Sequence, residues 1–307
     1  MCKPKITVMG SYVTDLMARA PHLPVHGETV FGSLFKTGCG GKGSNQAVAA
    51  ARVGADVLII TKLGKDVFGE MALENFRKEK INVSFVIVDE EYETGAALIM
   101  VDEITSANKI LVVPGACGKI SDDDIENARS EIEGCSILLT QLETNMEAVQ
   151  KTIDIAGAKK VRIILNPAPV QQIPDDLYEK IEVIIPNEVE AEILSGVKVD
   201  SEASAKKAAE FFLCKGVKKV IITLGDNGVY ANDGKAGTMI PPHKVEAIDT
   251  TGAGDSFCGA FVAAYAEGKS FVEAVRFGNA AAAISVTRMG TAVAMPYREE
   301  VEAFIKL

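Results

Sequence analysis

The sequence predicts an α/β protein in which a mainly parallel β-sheet is covered by helices on both faces. Three observations lead to this prediction. Short, continuously apolar runs recur along the chain, as expected for strands buried on both faces. Helical stretches separate most of these runs. Beyond residue 252 the pattern changes to helices alone, so strand–helix units precede a helical C-terminal part.

The predicted elements alternate along the first part of the chain. The predicted strands are 6–9, 57–61, 136–139, 161–165, 183–185 and 220–223. The predicted helices among them are 44–53, 68–79, 121–132, 146–156 and 203–215. Three further helices are predicted at 254–267, 271–286 and 298–305.

Two segments, 27–38 and 94–102, read as extended chain without a helix of their own. In the second, both alternating sets of side chains are apolar, so a strand there has two faces to cover. One face can close over a ligand and the other can meet a partner subunit. We therefore expect a small β-sheet that acts as a lid, although strands of the main sheet remain the alternative.

The composition limits the classes of function. The 307 residues carry 32 Lys and Arg against 42 Asp and Glu, a formal net charge of −10, and this disfavours binding to nucleic acid. A single domain over 1–307 is expected from the length. Neither a signal peptide nor an apolar stretch of membrane-spanning length is evident, so we expect a cytoplasmic protein that does not enter the membrane.

The segment 249–257, DTTGAGDSF, carries the strongest candidate for chemistry. Gly252, Ala253 and Gly254 lead into a predicted helix, and small residues at a helix start let main-chain N–H groups bind an anion. Asp255 then has two interpretations that spacing alone leaves about even. It is either an acidic residue of an ordinary first helical turn, or a carboxylate that meets a hydroxyl beside a bound phosphate.

The segment 38–46, GCGGKGSNQ, fits the pattern G-x-G-x-x-G literally. A dinucleotide site is a weak interpretation, because the fingerprint follows a buried parallel strand and the residues before it do not form a good one. The segment is not a phosphate-binding Walker loop either, since Lys42 precedes Gly43 and no G-K-[ST] follows. The alternative is a tight turn against a polyol, with Lys42 and Asn45 as donors.

Three further positions are ambiguous from the sequence. Asn187 and Glu190 share a helical face and can order the water ligands of Mg²⁺, but they equally fit a capping box. The turn at 223–228 and Asp15 each follow an apolar run, where α/β proteins bind ligands and where ordinary turns are also found.

Taken in order, these motifs resemble those of the ribokinase (PfkB) family of carbohydrate kinases. GGKGSNQAVAAARVGA and DTTGAGDSFCGAF match two family signatures, and QLE, NPAP, PNEVEAE and ITLGDNG are also similar to the family. The resemblance runs from Ile6 to about Phe304. It implies a ribokinase-like three-layer sandwich with a small β-sheet lid at about 12–40 and 92–110, and a homodimer through the lid strands.

The resemblance also implies ATP-dependent phosphorylation of a sugar primary hydroxyl, with ribose the leading substrate. Asp255 becomes the general base and Gly252, Ala253 and Gly254 the anion hole. The implied sugar site comprises Val13, Thr14, Asp15, Gly41, Lys42, Gly43, Asn45, Glu143 and Asp255. The implied nucleotide site comprises Asn187, Glu190, Thr223, Leu224, Gly225, Asp226, Asn227, Gly228, Gly254 and Asn279, with Glu190 helping to order Mg²⁺.

A K⁺ site beside the anion hole is implied as well, comprising Asp249, Thr251, Ser285, Arg288, Gly290 and Ala294. Two positions depart from the family pattern. Val13 stands where many ribokinases have Asn, which weakens the claim of ribose over other sugars. Ala294 stands where a Ser hydroxyl often reaches the cation, which weakens the claim of K⁺ dependence. Other family kinases (for a nucleoside, fructose or a deoxy sugar acid) and, remotely, a nicotinamide-dependent oxidoreductase remain alternatives.

Overall fold

The computed structural model describes residues 3–105 and 107–306. Within them the larger sheet has nine strands. The first seven in chain order run parallel to their neighbours, and the last two add an antiparallel edge. In spatial order they are β13 (Gly237–Ile240), β12 (Val229–Asn232), β11 (Lys219–Thr223), β10 (Val183–Ile184), β9 (Arg162–Leu165), β8 (Ile137–Thr140), β1 (Lys5–Met9), β4 (Asp56–Gly64) and β5 (Asn82–Asp89).

Helices cover both faces of this sheet. They are α1 (Lys42–Arg52), α2 (Val67–Lys78), α3 (Asp122–Asn127), α4 (Arg129–Gly134), α5 (Met146–Ala158), α6 (Asp175–Tyr178), α7 (Glu188–Ser195), α8 (Glu202–Cys214), α9 (Ala253–Ala266), α10 (Phe271–Ser285) and α11 (Arg298–Ile305). Alternate strand residues enter two separate apolar cores: Val8 packs with α1, α9 and α10, whereas its neighbour Met9 packs with α3 and α5. The predicted three-layer α/β architecture is confirmed.

A separate four-stranded sheet stands apart from the larger one. Its strands lie in the order β3 (Leu34–Gly40), β2 (Val13–Ala20), β6 (Thr94–Asp102) and β7 (Asn108–Gly115). The pairing of β2 with β6 is parallel, and the other two pairings are antiparallel. This confirms the expectation of a second small sheet, and its two apolar faces follow from the register. Ile99 lies opposite Ile110 on one face, and Leu98 lies opposite Leu111 on the other.

Several boundaries differ from the sequence-based prediction. Of the predicted extended segment 27–38, only the part from Leu34 onward is a strand; before it, Ser33 N donates to Arg19 O at 2.9 Å, and residues 27–32 are not part of a strand. The predicted helix 121–132 is two short helices that meet at Ala128. Strand β7 continues to Gly115, beyond the expected limit of 110. The pattern gave no indication of β5, β12 or β13.

The N-termini of four helices are fixed by capping boxes. In each, the side chain of the N-cap residue accepts from the main-chain N–H three residues later, and the side chain of that later residue accepts from the N–H of the N-cap residue. Ser121, Asn187, Ser201 and Ser270 cap α3, α7, α8 and α10 in this way. No helix in 3–105 or 107–306 has the length and hydropathy that crossing a bilayer requires.

Candidate active site

The candidate site lies along one edge of the larger sheet, where parallel strands end. Glu143 and Asn166 come shortly after β8 and β9, Asn187 follows β10, and Thr223 ends β11. Ligands of open α/β sheets bind at this carboxyl edge, because the loops there diverge and leave a crevice. The topology therefore gathers motifs that are far apart in the chain.

Two adjoining cavities at this edge share several lining residues, and a further cavity of about 400 Å³, lined by Asp15, Asp249 and Thr291, lies beside them. The wide cavity, of about 660 Å³, is bounded on one side by the second sheet through Ala97, Ile99 and Val112, and on the other by Glu143 and Asn45. The narrow cavity, of about 160 Å³, is bounded by Asn166, Asn187, Glu190 and Thr223. Lys42, Gly252 and Asp255 line both. These three residues therefore stand at the junction of the two spaces.

Helix α9 begins at this junction. Its N-cap, Gly252, has φ 78° and ψ 3°, a left-handed conformation that glycine adopts without a steric penalty. Gly252, Ala253, Gly254 and Asp255 all line the narrow cavity. Ala253 N already donates to Thr250 O at 3.2 Å, and the partial positive charge of the helix start, with the other N–H groups of its first turn, favours an anion at this point.

Asp255 is buried and its carboxylate is held on both sides. Asn45 Nδ2 donates to Oδ2 at 3.0 Å, and Gln46 Nε2 donates to Oδ1 at 2.9 Å. Burial raises the pKa of Asp255, and the Lys42 ammonium and the two amides oppose that rise. The carboxylate is therefore desolvated but oriented, a combination suited to taking part in a proton transfer.

Lys42 is the positive centre of the site. Burial by itself lowers its pKa, but the carboxylates of Asp255, Glu143 and Glu190 outweigh this effect and hold the pKa above its usual value. Lys42 is thus protonated and attracts anions to the junction of the cavities. Its main-chain N–H donates to Glu143 Oε2 at 2.8 Å, and the Ser11 hydroxyl donates to the same oxygen, which fixes the Glu143 carboxylate.

Asp15 faces the wide cavity from β2. Burial is the largest cause that raises its pKa to about 6, and the Thr291 hydroxyl, 3.0 Å from Oδ2, counteracts it. Val13, Gly41, Lys42, Asn45 and Glu143 line the same cavity. Thr14 and Gly43 do not: Thr14 is buried and donates to Tyr12 Oη, and Gly43 packs on the backbone of Gly10.

Of the residues that the resemblance implies for a nucleotide site, the structure brings some together. Asn187 and Glu190 line the narrow cavity with Thr223, and they also form the capping box of α7. Burial raises the pKa of Glu190, and the Asn187 N–H and Lys42 partly compensate. The turn residues Leu224, Gly225, Asp226, Asn227 and Gly228 lie outside both cavities. Asn279 also lies outside and donates to Pro241 O at 3.0 Å.

The residues expected to hold K⁺ form a connected turn beside α9. The Asp249 carboxylate accepts from Thr251 N at 3.0 Å and from Gly290 N at 2.9 Å. The main-chain N–H of Asp249 donates to Val286 O, next to Ser285, and Arg288 N donates to Ser285 O. Ala294 is buried nearby in a short 3₁₀ turn that follows Thr291.

Four side chains that the sequence analysis did not assign contribute to the site. Gln46 contacts Asp255, and Thr291 contacts Asp15. Asn166 lines the narrow cavity, and Ser11 contacts Glu143. Gln46 follows Asn45 in the glycine motif and Asn166 begins NPAP, so both lay within recognisable segments. For Thr291 the sequence contained no signal, since it meets Asp15 across 276 positions.

The glycine motif at 38–46 does not occupy the position of a dinucleotide fingerprint. The strand before it, β3, belongs to the second sheet and is antiparallel to β2. A dinucleotide fingerprint instead connects a buried parallel strand to its helix. The literal G-x-G-x-x-G match therefore has no structural support.

Comparison with known proteins agrees with this geometry. Residues 3–298 match the model of the family described as pfkB family carbohydrate kinase. A ribokinase of Haemophilus influenzae is 42% identical over 98% of both chains, and a deoxyribokinase of Salmonella typhi is 35% identical over 98% of this chain and 99% of the other. The structure of Arabidopsis thaliana ribokinase complexed with ribose and ATP superposes with a TM-score of 0.91 at 30% identity over 100% of both chains. The protein belongs to the pfkB family of carbohydrate kinases.

Proposed function

We propose that the protein phosphorylates the primary 5-hydroxyl of D-ribose with ATP, with Asp255 as the general base. The relative of 42% identity is named a ribokinase, and a superposable ribokinase has been solved with ribose and ATP. The observation that carries the proposal is the position of Asp255, which lines both the wide and the narrow cavity. An alcohol in the first and a triphosphate in the second meet at this carboxylate.

Each cavity has the polarity that its proposed occupant needs. Asp15, Asn45 and Glu143 offer acceptors and donors to sugar hydroxyls in the wide cavity. In the narrow cavity, the start of α9 and the protonated Lys42 favour the terminal phosphates. The main-chain N–H groups of Gly252, Ala253 and Gly254 are the proposed anion hole for the transferred phosphoryl group.

Phosphoryl transfer depends mainly on positioning and charge neutralisation, because its transition state is loose. Asp255 orients the hydroxyl and accepts its proton, and a base in this role contributes on the order of 10²–10⁴-fold. Its raised pKa makes the carboxylate a stronger base than an exposed aspartate. Lys42 stabilises the charge that collects between the cavities.

The residues of the narrow cavity fit a divalent cation that is held mostly by phosphates and water. No cluster of three or more acidic, His or Cys side chains suited to a metal exists among residues 3–105 and 107–306. Mg²⁺ typically uses only one or two carboxylates together with substrate phosphates and water. Glu190, with Asn187 beside it, is the carboxylate proposed to order those waters. The cation would neutralise phosphate charge.

A K⁺ activator is proposed for the turn formed by Asp249, Thr251, Ser285, Arg288 and Gly290. This turn is attached to the start of α9 through Thr251, which lines the wide cavity. Carboxylate and carbonyl oxygens suit such a cation. Because Ala294 offers no hydroxyl, we expect the activation by K⁺ to be weak.

A 2-deoxyribose kinase is the second candidate. Val13 is buried in the wall of the wide cavity, where it can form no hydrogen bond to a hydroxyl. One relative of 35% identity is named a deoxyribokinase. Loss of a hydroxyl next to Val13 then costs little, because the side chain of Val13 has no polar group to leave unpaired.

The second sheet is proposed to act as a lid and to carry a homodimer interface in the cytoplasm. Its inner face lines the wide cavity through Ala97 and Ile99. The outer face exposes Phe35, Leu98 and Leu111, which are 65%, 44% and 61% exposed. An apolar face of this kind is typical of a protein interface.

The function is tested by a coupled ADP-release assay with ATP and a panel of sugars and nucleosides, with and without K⁺. Ribose giving the highest kcat/KM supports the leading proposal, and 2-deoxyribose giving the highest supports the second. A nucleoside or fructose as the preferred substrate contradicts both.

A further inference from the structure

Gln46 is a fully buried side chain that lines neither cavity, yet it contacts the proposed base. Its Nε2 donates to Asp255 Oδ1 at 2.9 Å and to Asn166 Oδ1 at 3.0 Å. Its Oε1 accepts from Gln141 Nε2 at 2.7 Å. All three polar groups of the amide are therefore used, and no contact to the wide or the narrow cavity is left for it.

The orientation of this amide is fixed by a main-chain group. Asn166 Nδ2 donates to Ile185 O at 2.8 Å, so Asn166 turns its oxygen toward Gln46. Only the nitrogen of Gln46 can donate to that oxygen, and the second N–H of the same nitrogen then points at Asp255. A flipped amide would place an oxygen against both Asn166 Oδ1 and the Asp255 carboxylate. The Gln46 donor is consequently locked toward Asp255.

The contacts also link Gln46 to both sides of the site. Gln141 lies two residues before Glu143, which lines the wide cavity. Asn166 and Ile185 line the narrow cavity. The two carboxylate oxygens thus have different partners: Oδ1 accepts from the inward amide of Gln46, and Oδ2 accepts from Asn45, a residue of the wide cavity.

We propose that Gln46 is the positioning residue of the phosphoryl transfer, which holds Asp255 so that Oδ2 receives the sugar proton. Gln46 occupies Oδ1 and fixes the plane of the carboxylate, which leaves a lone pair of Oδ2 toward the sugar. It also stabilises the ionised form of a buried acid. This inference rests on the proposed role of Asp255 as the base.

The titration of Asp255 depends on the groups that face it. Burial raises its pKa, while Lys42, Gln46 and Asn45 lower it and Glu143 raises it further. The base acts only when deprotonated, so its pKa sets the rising limb of kcat/KM against pH. Removing the Gln46 donor raises that pKa and moves the rising limb to higher pH.

The test compares Gln46→Met with the wild type. Methionine keeps the length of the side chain but donates no hydrogen bond. We expect kcat to fall about tenfold or more, the KM values for sugar and ATP to stay within about threefold, and the rising limb to move up by about one pH unit. Gln46→Glu serves if the Met variant does not fold, and we expect a larger upward shift because it adds an acid beside Asp255.

A matched control removes a buried amide away from the site. Asn232 of β12 is buried and pairs with Val220 of β11, at the strand end opposite the cavities. Asn232→Leu should therefore leave the rising limb of kcat/KM at the wild-type pH. When Gln46→Met is added to Asp255→Asn, kcat should fall by less than about twofold relative to Asp255→Asn alone. The effects of residues that act as one unit are not additive.

Loss of kcat in Gln46→Met without a shift of the limb, or full additivity with Asp255→Asn, overturns the inference and leaves the proposed function intact. Near wild-type turnover of Asp255→Asn alone overturns the proposed function and the inference together.

Discussion

The carboxylate of Asp15 lies directly over the α-carbon of Gly40. A Cβ atom at residue 40 would stand 2.3 Å from Oδ1 and 2.5 Å from Cγ of Asp15, closer than side chains approach one another. The two residues lie on neighbouring strands, since Val13 pairs with Gly40 in β2 and β3. Glycine at 40 is therefore what allows Asp15 to occupy the wall of the wide cavity.

Gly40→Ala tests whether this placement matters for sugar binding. The methyl group displaces the Asp15 carboxylate, so we expect KM for the sugar to rise about tenfold or more, as for the loss of a hydrogen bond to a charged group. KM for ATP should change little. Gly38→Ala is the matched control on the same strand, because its Cβ would meet Asp15 at an ordinary 3.9 Å. Equal sugar KM values in the two variants contradict the role of Asp15.

The raised pKa of Asp15 also makes the free energy of unfolding depend on pH. Burial raises its pKa from 3.8 in the unfolded chain to about 6 in the folded one. Between those values the folded state binds more protons than the unfolded state, so the contribution of Asp15 to the unfolding free energy falls as pH rises from about 4 to about 6.

Asp15→Asn removes this dependence, and Asn still accepts from Thr291. At pH 7.5 the variant should therefore be more stable than the wild type by about 1–3 kcal/mol, while its sugar affinity falls. Urea unfolding at pH 4 and pH 7.5 measures the difference, which should nearly vanish at the lower pH. If the variant were no more stable than the wild type at pH 7.5, burial of the ionised Asp15 carboxylate would not lower the free energy of unfolding, and the prediction would be wrong.

Glu190 has two possible roles, as a capping residue of α7 and as a carboxylate that orders Mg²⁺ ligands, and the variant Glu190→Gln distinguishes them. Glutamine at its position also completes a capping box, and burial raises the pKa of Glu190, so Glu190→Gln should not lower the thermal unfolding temperature at neutral pH and should raise it slightly. The same change removes the carboxylate proposed to order Mg²⁺ ligands, so the free Mg²⁺ needed for half-maximal activity should rise by roughly fivefold or more.

Glu273→Gln is the matched control for that variant. Glu273 holds the same position in the capping box of α10, where it is exposed and lines neither cavity. Titration of activity with Mg²⁺ distinguishes the two variants. An unchanged Mg²⁺ requirement in Glu190→Gln would remove Glu190 from the proposed cation site.

The sequence was most informative where function and local geometry coincide. The anion-binding helix start at Gly252 could be predicted locally because it needs small residues next to one another in the chain, whereas the spacing left the role of Asp255 open until the family resemblance favoured a base. Continuous apolar runs predicted strands of a mainly parallel sheet, but not their spatial order. Family resemblance then added Asp15, which the local pattern left as a turn residue, and Glu143, which no local pattern had singled out.

The remainder depends on contacts between distant parts of the chain. Gln46 meets Asn166 across 120 positions, and a buried amide in a helix has no local sign of its partner. The segment before Leu34 contains apolar residues such as Phe31, which is 92% exposed, and the sequence predicts extended chain from residue 27, whereas the strand begins only at Leu34. Pairing, rather than propensity, decides such segments.

The turnover of Asp255→Asn, measured by ADP release at saturating sugar and ATP, tests the central claim most directly. Asparagine keeps the shape of the side chain but cannot accept the proton, so we expect kcat to fall at least about a hundredfold while sugar and ATP still bind measurably. Turnover close to the wild-type value would contradict the account, because the hydroxyl would then lose its proton without the carboxylate at the junction of the two cavities.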